Sequence, residues 1–304
     1  MKDFILYSGS SNLPLAHEVA KLMNITLGKV DLERFADGEL RPWIQDDLRD
    51  KTVIVLESFS YPMDEHIMEM VLMGDAIRRC APKRVIGVIP YLGYARQDKL
   101  HRAGEPISAR VIAKFLEVSE FHEIIGVDLH NDAIVGFFEI PFTHVSALET
   151  LANQVKKRDI SNGVVIAPDV GGVKRARNLA FLLDLPMVVM EKRRFLDKHD
   201  TSEAYQIIGD VRDKTAIIID DIISTGGTIV QAAASLREAG ATGVIALATH
   251  GVFAGEAVEK LTHAPIEEVI CTNSIHLNGD KKFASLKVVS IAPLLADAIS
   301  TLVR

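Results

Sequence analysis

Short apolar runs recur along this chain, each too short and too rich in β-branched residues to be a buried helix. They are Phe4–Tyr7, Val53–Leu56, Val85–Ile89, Ile124–Val127, Val164–Ala167, Met187–Met190, Ala216–Ile219, Val244–Leu247, Val269–Cys271 and Val288–Ile291. Amphipathic stretches between them predict helices at Pro14–Met23, Glu65–Arg79, Ser108–Leu116, Leu148–Val155, Arg175–Leu182 and Ile229–Ala239, the last stopped by Gly240. Strand and helix in alternation predict an α/β fold with mostly parallel sheets. About ten strands are many for one compact sheet. The pattern therefore predicts two similar domains, 1–145 and 146–304, each a mostly parallel sheet flanked by helices, with the last strand and helix able to return to the first. An internal echo fits duplication. VIPYLGYARQ (Val88–Gln97) and VIAPDVGGVKRA (Val165–Ala176) each leave a strand with Pro, Gly and a base at the same spacing.

Composition narrows the function classes. A chain of 304 residues, 48% hydrophobic and 25% charged, can build a substantial core. Its net charge of −7 gives no electrostatic reason to expect nucleic acid or an anionic membrane, so local basic clusters read as sites for small anions. Cys80 and Cys271 carry no metal-like spacing and read as free thiols, which fits a reducing compartment. The segment Met1–Ser10 has too short an apolar run for a signal-peptide core, and no stretch has the length of a membrane span. The expectation is a cytoplasmic protein.

The most informative stretch is IIIDDIISTGGT, Ile217–Thr228. A strand predicted to end at Ile219 is followed by Asp220 and Asp221, then by Ser224, Thr225, Gly226, Gly227 and Thr228 ahead of a helix. Strand, tight loop and helix N-terminus aim backbone N–H groups at one spot, where the helix dipole favours an anion. The carboxylates suit a vicinal diol, which donates two hydrogen bonds. Ribose 5-phosphate has both groups.

Other clusters carry chemistry too. FADGEL (Phe35–Leu40) reads first as a turn between strands, and second as a purine site with Phe35 stacked on the base and Asp37, Gly38 and Glu39 reading its edge. Arg96 and Gln97, at the end of PYLGYARQDK, suit phosphate or base. Asp128 and His130 leave a strand two apart, hence on one face, and suit a cation or polyphosphate. Asp169 precedes Gly171 and Gly172, followed by Lys174, Arg175 and Arg177. Three bases at a helix N-terminus are a local cost without an anion or partner. In EKRRF (Glu191–Phe195), Lys192 and Arg194 read as a cationic loop following the strand Met187–Met190.

The DD…TGGT block resembles the phosphoribosyl-diphosphate-binding superfamily. With FADGE, the RQD segment, DLH, PDxGGVxRA, KRR and ATHGVF (Ala248–Phe253) in order, the chain resembles the ribose-phosphate diphosphokinase family over essentially its whole length. The resemblance implies transfer of the β,γ-diphosphoryl group of ATP to the anomeric hydroxyl of ribose 5-phosphate. It implies that Phe35, Asp37, Gly38, Glu39, Arg96 and Gln97 bind ATP, with Phe35 serving a site completed by a neighbouring subunit. His130 and Asp169 would organise magnesium, while Asp220, Asp221 and Ser224–Thr228 hold ribose 5-phosphate. Lys192 and Arg194 would be catalytic. Self-association as a dimer or higher is implied, hexamers being typical of the family.

Three departures stand out: Ser224 where the family usually has an acid, NDAIVGFF (Asn131–Phe138) in place of a Gln-rich segment, and RAGEPI (Arg102–Ile107) for RSREPI. The last implies weaker ADP allostery than in the tightly regulated class. An ADP inhibition curve strongly cooperative and uncompetitive with ATP would sink that expectation. A phosphoribosyltransferase needs only the DD…TGGT block, and a silent regulatory homologue has no need of Lys192 and Arg194.

Overall fold

The computed structural model of the chain describes residues 3–100, 102–194 and 203–303. The chain divides into two compact units: Met1–Ser146 with Ser274–His276 and Ser290–Arg304, and Ala147–Asn273 with Leu277–Val289.

The first unit runs β1 (Phe4–Ser8), α1 (Leu13–Leu22), β2 (Val30–Arg34), β3 (Leu40–Ile44), β4 (Thr52–Leu56), α2 (Met63–Arg79), β5 (Arg84–Ile89), α3 (Ser108–Val118), β6 (Glu123–Val127) and β7 (Phe142–Val145). Five of these strands form a wholly parallel sheet in the order β1-β4-β5-β6-β7. Its inner strands are buried beyond their first residues, and EIIGV of β6 throughout, the mark of strands covered on both faces. On α2 the residues Ile67, Met70, Met73, Gly74 and Ile77 form the buried stripe that seats the helix. Strands β2 and β3 make a separate antiparallel hairpin.

The second unit runs α4 (Leu148–Val155), β8 (Gly163–Ala167), α5 (Val173–Leu183), β9 (Met187–Arg194), β10 (Glu203–Ile208), β11 (Thr215–Ile223), α6 (Gly227–Glu238), β12 (Gly243–Gly251), α7 (Ala257–His263), β13 (Glu268–Thr272) and β14 (Leu286–Val289). Its seven-stranded sheet has the order β10-β9-β8-β11-β12-β13-β14, parallel except for β10 against β9. The last helix, α8 (Ala292–Leu302), belongs to the first unit and packs on α1.

The α/β class and parallel sheets match the sequence pattern, but several boundaries differ. Strand β11 continues four residues past Ile219, and β9 continues through Arg194 because β10 pairs with it. Helix α6 starts at Gly227 rather than Ile229. The final strand is Leu286–Val289 instead of Val288–Ile291, held by β13 through Thr272 opposite Val289. The internal echo diverges: the second copy enters α5 at Val173, whereas in the first the described residues between Pro90 and Ile107 are non-helical.

Candidate active site

In open α/β sheets ligands bind beyond the carboxyl ends of strands, where connections leave in opposite directions. The second unit has such a point. From β8 the chain crosses through α5 to β9 on one side, while from neighbouring β11 it crosses through α6 to β12 on the other. The Asp169 loop and the Asp220–Thr228 segment both lie at these strand ends.

Asp220 and Asp221 sit inside β11, not after it. Asp220 pairs with Ala248, and pairing resumes with Ile222 opposite His250 and Ile223 opposite Gly251. Two carboxylates stay in the sheet because a helix supplies their counter-charge: Arg175 Nη1 lies 3.3 Å from Asp221 Oδ1 and 3.7 Å from Asp220 Oδ1. Burial and the Asp221 carboxylate beside it push Asp220 well above the usual carboxylate range, against the pull of Arg175.

Past Ile223 the chain turns through Ser224, Thr225 and Gly226. The turn is pinned from outside, with Val252 N and Phe253 N donating to Ile223 O and Ala254 N to Ser224 O at 2.9–3.1 Å. Gly226 has φ +76° at the helix N-cap, and a Cβ there would meet Leu261 Cγ only at 3.4 Å. The torsion, rather than crowding, selects glycine. The first helical bond runs from Val230 N to Gly226 O, so Gly227, Thr228 and Ile229 have no helical acceptor and no side-chain cap. Gly227 and Thr228 therefore act from within the first turn. Three N–H groups on the helix dipole can grip one phosphate.

The neighbouring loop places Asp169 exposed at the end of β8, its Oδ1 accepting Gly172 N at 2.8 Å. On α5, Lys174 and Arg177 are exposed, whereas Arg175 turns inward to the aspartates. Lys192 and Arg194 lie in β9 opposite Tyr205 and Glu203, which corrects the expectation of a loop beginning after Met190. The side chains of Lys192 and Arg194, and residues 195–202, lie outside the described residues.

In the first unit, FADGEL forms the turn of the β2–β3 hairpin, with Gly38 N donating to Phe35 O and Glu39 N to Asp37 Oδ1. Phe35 nonetheless keeps 49% of its surface, with the Arg41 guanidinium 5.3 Å from its ring centre. Arg96 and Gln97 lie on a loop, not a helix start. Arg96 is exposed; Gln97 O accepts Ala109 N at 3.2 Å and its Oε1 accepts the Ser108 hydroxyl at 2.6 Å, satisfying the first turn of α3. Strand β6 ends at Val127, and Asp128 has φ +36°, so the period-two argument that put Asp128 and His130 on one face does not apply. His130 is exposed, and Asp128 Oδ1 accepts the Ser146 hydroxyl at 2.7 Å.

Comparisons with known proteins decide the family. The profile for the N-terminal domain of ribose phosphate pyrophosphokinase matches residues 4–119, and that for the phosphoribosyl synthetase-associated domain matches 194–304. The ribose-phosphate pyrophosphokinase of Bacillus caldolyticus is 43% identical over 295 residues, covering 97% of this chain and 93% of that one. The chain belongs to the ribose-phosphate pyrophosphokinase family. The Aquifex aeolicus family member is 42% identical over 98% of this chain and 96% of its own. The crystal structure of phosphoribosylpyrophosphate synthetase from Mycobacterium smegmatis superposes with a TM-score of 0.93 at 38% identity, covering 99% of both chains. As a ribose-phosphate pyrophosphokinase family member the chain is an enzyme, and no helix among its described residues is long and apolar enough to cross a membrane. Sequence reasoning had counted Arg175 with the phosphate-binding bases; the one available signal was the excess of bases on a helix N-terminus, which demanded some partner.

Proposed function

We propose that this chain transfers the β,γ-diphosphoryl group of ATP to the anomeric hydroxyl of ribose 5-phosphate, giving 5-phosphoribosyl 1-diphosphate and AMP. The observation that carries the reading is the combination on β11 and α6: a paired carboxylate site followed directly by three backbone N–H groups that have no helical acceptor or side-chain cap among the described residues. Asp220 and Asp221 bind the ribose hydroxyls, and Ser224–Thr228 enclose the 5-phosphate. Phe35, Asp37, Gly38 and Glu39 hold adenine, with a second subunit completing that site, so the working form is a dimer or larger. Arg96 and Gln97 contact ATP.

Asp169 and His130 are the candidates to hold magnesium with its polyphosphate. Among the described residues no group of three or more His, Cys, Asp or Glu side chains forms a ready-made cage. Of the two candidates, the Asp169 carboxylate fits magnesium, which binds through one or two carboxylates and takes its remaining oxygens from water and substrate phosphates. When bound, magnesium neutralises polyphosphate charge and makes the β-phosphorus more electrophilic. The chain's own residues align the sugar hydroxyl with that phosphorus, and Lys192 and Arg194 offset the charge that develops as the AMP oxygen leaves. The enzyme works in the cytoplasm.

Product analysis with ATP, ribose 5-phosphate and magnesium tests this. AMP and phosphoribosyl diphosphate should appear one for one and collapse in Lys192→Ala. ADP in place of AMP, or no sugar product, would contradict it.

A further inference from the structure

At the sugar end of the site one guanidinium nitrogen serves two carboxylates. Adjacent strand residues face opposite sides of a sheet, yet Arg175 Nη1 stands within 4 Å of both Asp220 and Asp221. It reaches both because the Asp220 carboxylate folds back over its own backbone and accepts Asp221 N at 2.8 Å. The Asp221 side chain keeps only 6% of its surface, whereas those of Asp220 and Arg175 keep 21% each. The pair is thus unequal: Asp221 is enclosed and Asp220 is the half open to a ligand.

We propose that Arg175 is a positioning residue for the sugar site: it holds Asp221 as a fixed internal pair and presents the open carboxylate of Asp220 to the ribose hydroxyls. The inference rests on the ribose 5-phosphate reading above. A vicinal diol donates hydrogen bonds, and an ionised carboxylate, with all its lone pairs free, accepts two of them more strongly than a protonated one. Two adjacent carboxylates taken partly out of water resist double ionisation, and a cation within reach relieves that. Among the described residues the charged groups acting on Asp220 are Asp221 from its own strand and Arg175 from α5, while β12 sets Ala248 opposite it. Asp220 already holds its proton more tightly than an ordinary carboxylate; removing Arg175 takes away the charge that opposes this, so sugar binding has to expel the proton at greater cost. A guanidinium stays charged when partly buried and is weakly hydrated, which suits the task better than an ammonium, a compact point charge that loses its proton more readily on burial. Arg175 thereby departs from Lys174 and Arg177 on the same turn, which face solvent.

The test is calorimetric titration with ribose 5-phosphate from about pH 6 to about pH 9 on the full chain, comparing wild type with R175Q, R175K and D220N. Reading the variant-to-wild-type ratio at each pH cancels the titration of the sugar's own phosphate. R175Q should weaken binding about tenfold or more near pH 6.5, the loss shrinking toward pH 9 as Asp220 ionises without help. R175K should show the same trend at about threefold, and it carries the test alone if R175Q does not fold. A loss equal at every pH would reduce Arg175 to a structural role and overturn the proposal, as would unchanged affinity. D220N separates the two levels: if it binds ribose 5-phosphate like wild type, the sugar-site reading itself falls, whatever the arginine variants do.

Discussion

Glu57→Gln should make the first unit more stable, and increasingly so as pH rises. Glu57 follows β4 and is fully enclosed; its Oε1 accepts Ser11 N at 3.1 Å, and among the described residues its Oε2 has no hydrogen-bond partner. The buried Glu69 carboxylate, which accepts Ser10 N at 2.6 Å and the Ser10 hydroxyl at 3.0 Å, borders the same glycine, Gly9. Burial first, and Glu69 second, hold Glu57 well above the ordinary glutamate value of 4.5. Above that ordinary value the unfolded chain has lost the proton while the folded chain retains it. Folding therefore takes up a proton, and stability falls as pH rises until the folded group also ionises. The slope is at most about 1.4 kcal/mol per pH unit. Glutamine has the same shape and no proton to take up, and its amide can donate toward Glu69. Between about pH 5.5 and about pH 8 the variant should gain on wild type as pH rises, by no more than the ceiling set by that slope. Urea denaturation by circular dichroism and by the fluorescence of Trp43, the chain's one tryptophan, placed on β3, measures this. Parallel stability curves for the two proteins would show that Glu57 does not carry the proton and would refute the reasoning.

Three further outcomes follow from the geometry. Gly226→Ala forces a left-handed torsion on alanine without a clash, so it should cost about 1–2 kcal/mol and, by turning the Gly227–Ile229 N–H groups, weaken ribose 5-phosphate at least about tenfold; unchanged affinity in a titration would count against the phosphate grip. Phe35→Ala and Arg96→Ala alter exposed side chains and should move the melting free energy by less than about 0.5 kcal/mol while raising KM for ATP; steady-state kinetics with unchanged KM would remove both from the nucleotide site. Gln97→Ala should differ from them by also destabilising the first unit by about 1 kcal/mol, because the Ser108 hydroxyl loses its acceptor; a thermal melt identical to wild type would contradict that.

Fold class was legible because buried parallel strands read as continuous apolar runs, as EIIGV in β6 and GVVIA in β8 show. Strands β2 and β3 escaped the pattern since VDLER and LRPWI mix charges and a proline into an exposed hairpin. Strand β10 was hidden because it is set by antiparallel pairing with β9 at the sheet edge, which local composition does not encode. The turn and helix start at Ser224–Thr228 were readable residue by residue, since their glycine and hydroxyl positions are contiguous. The ion pair that lets the two aspartates remain in β11 was not, because Arg175 comes from a helix 46 residues away. Nor does sequence tell that Gln97 closes the first turn of α3, a contact made only once the loop folds back. The Gly9–Asn12 loop shows the same limit: the N–H groups of Ser10 and Ser11 are taken by Glu69 and Glu57, which lie far along the chain.

The most direct test of the account is a crystal structure of the protein with ribose 5-phosphate bound. The account predicts the 5-phosphate on the N–H groups of Gly227, Thr228 and Ile229, with the ribose hydroxyls hydrogen-bonded to Asp220 and Arg175 still paired with Asp221. A phosphate seated elsewhere, or a sugar bound without Asp220, would contradict it.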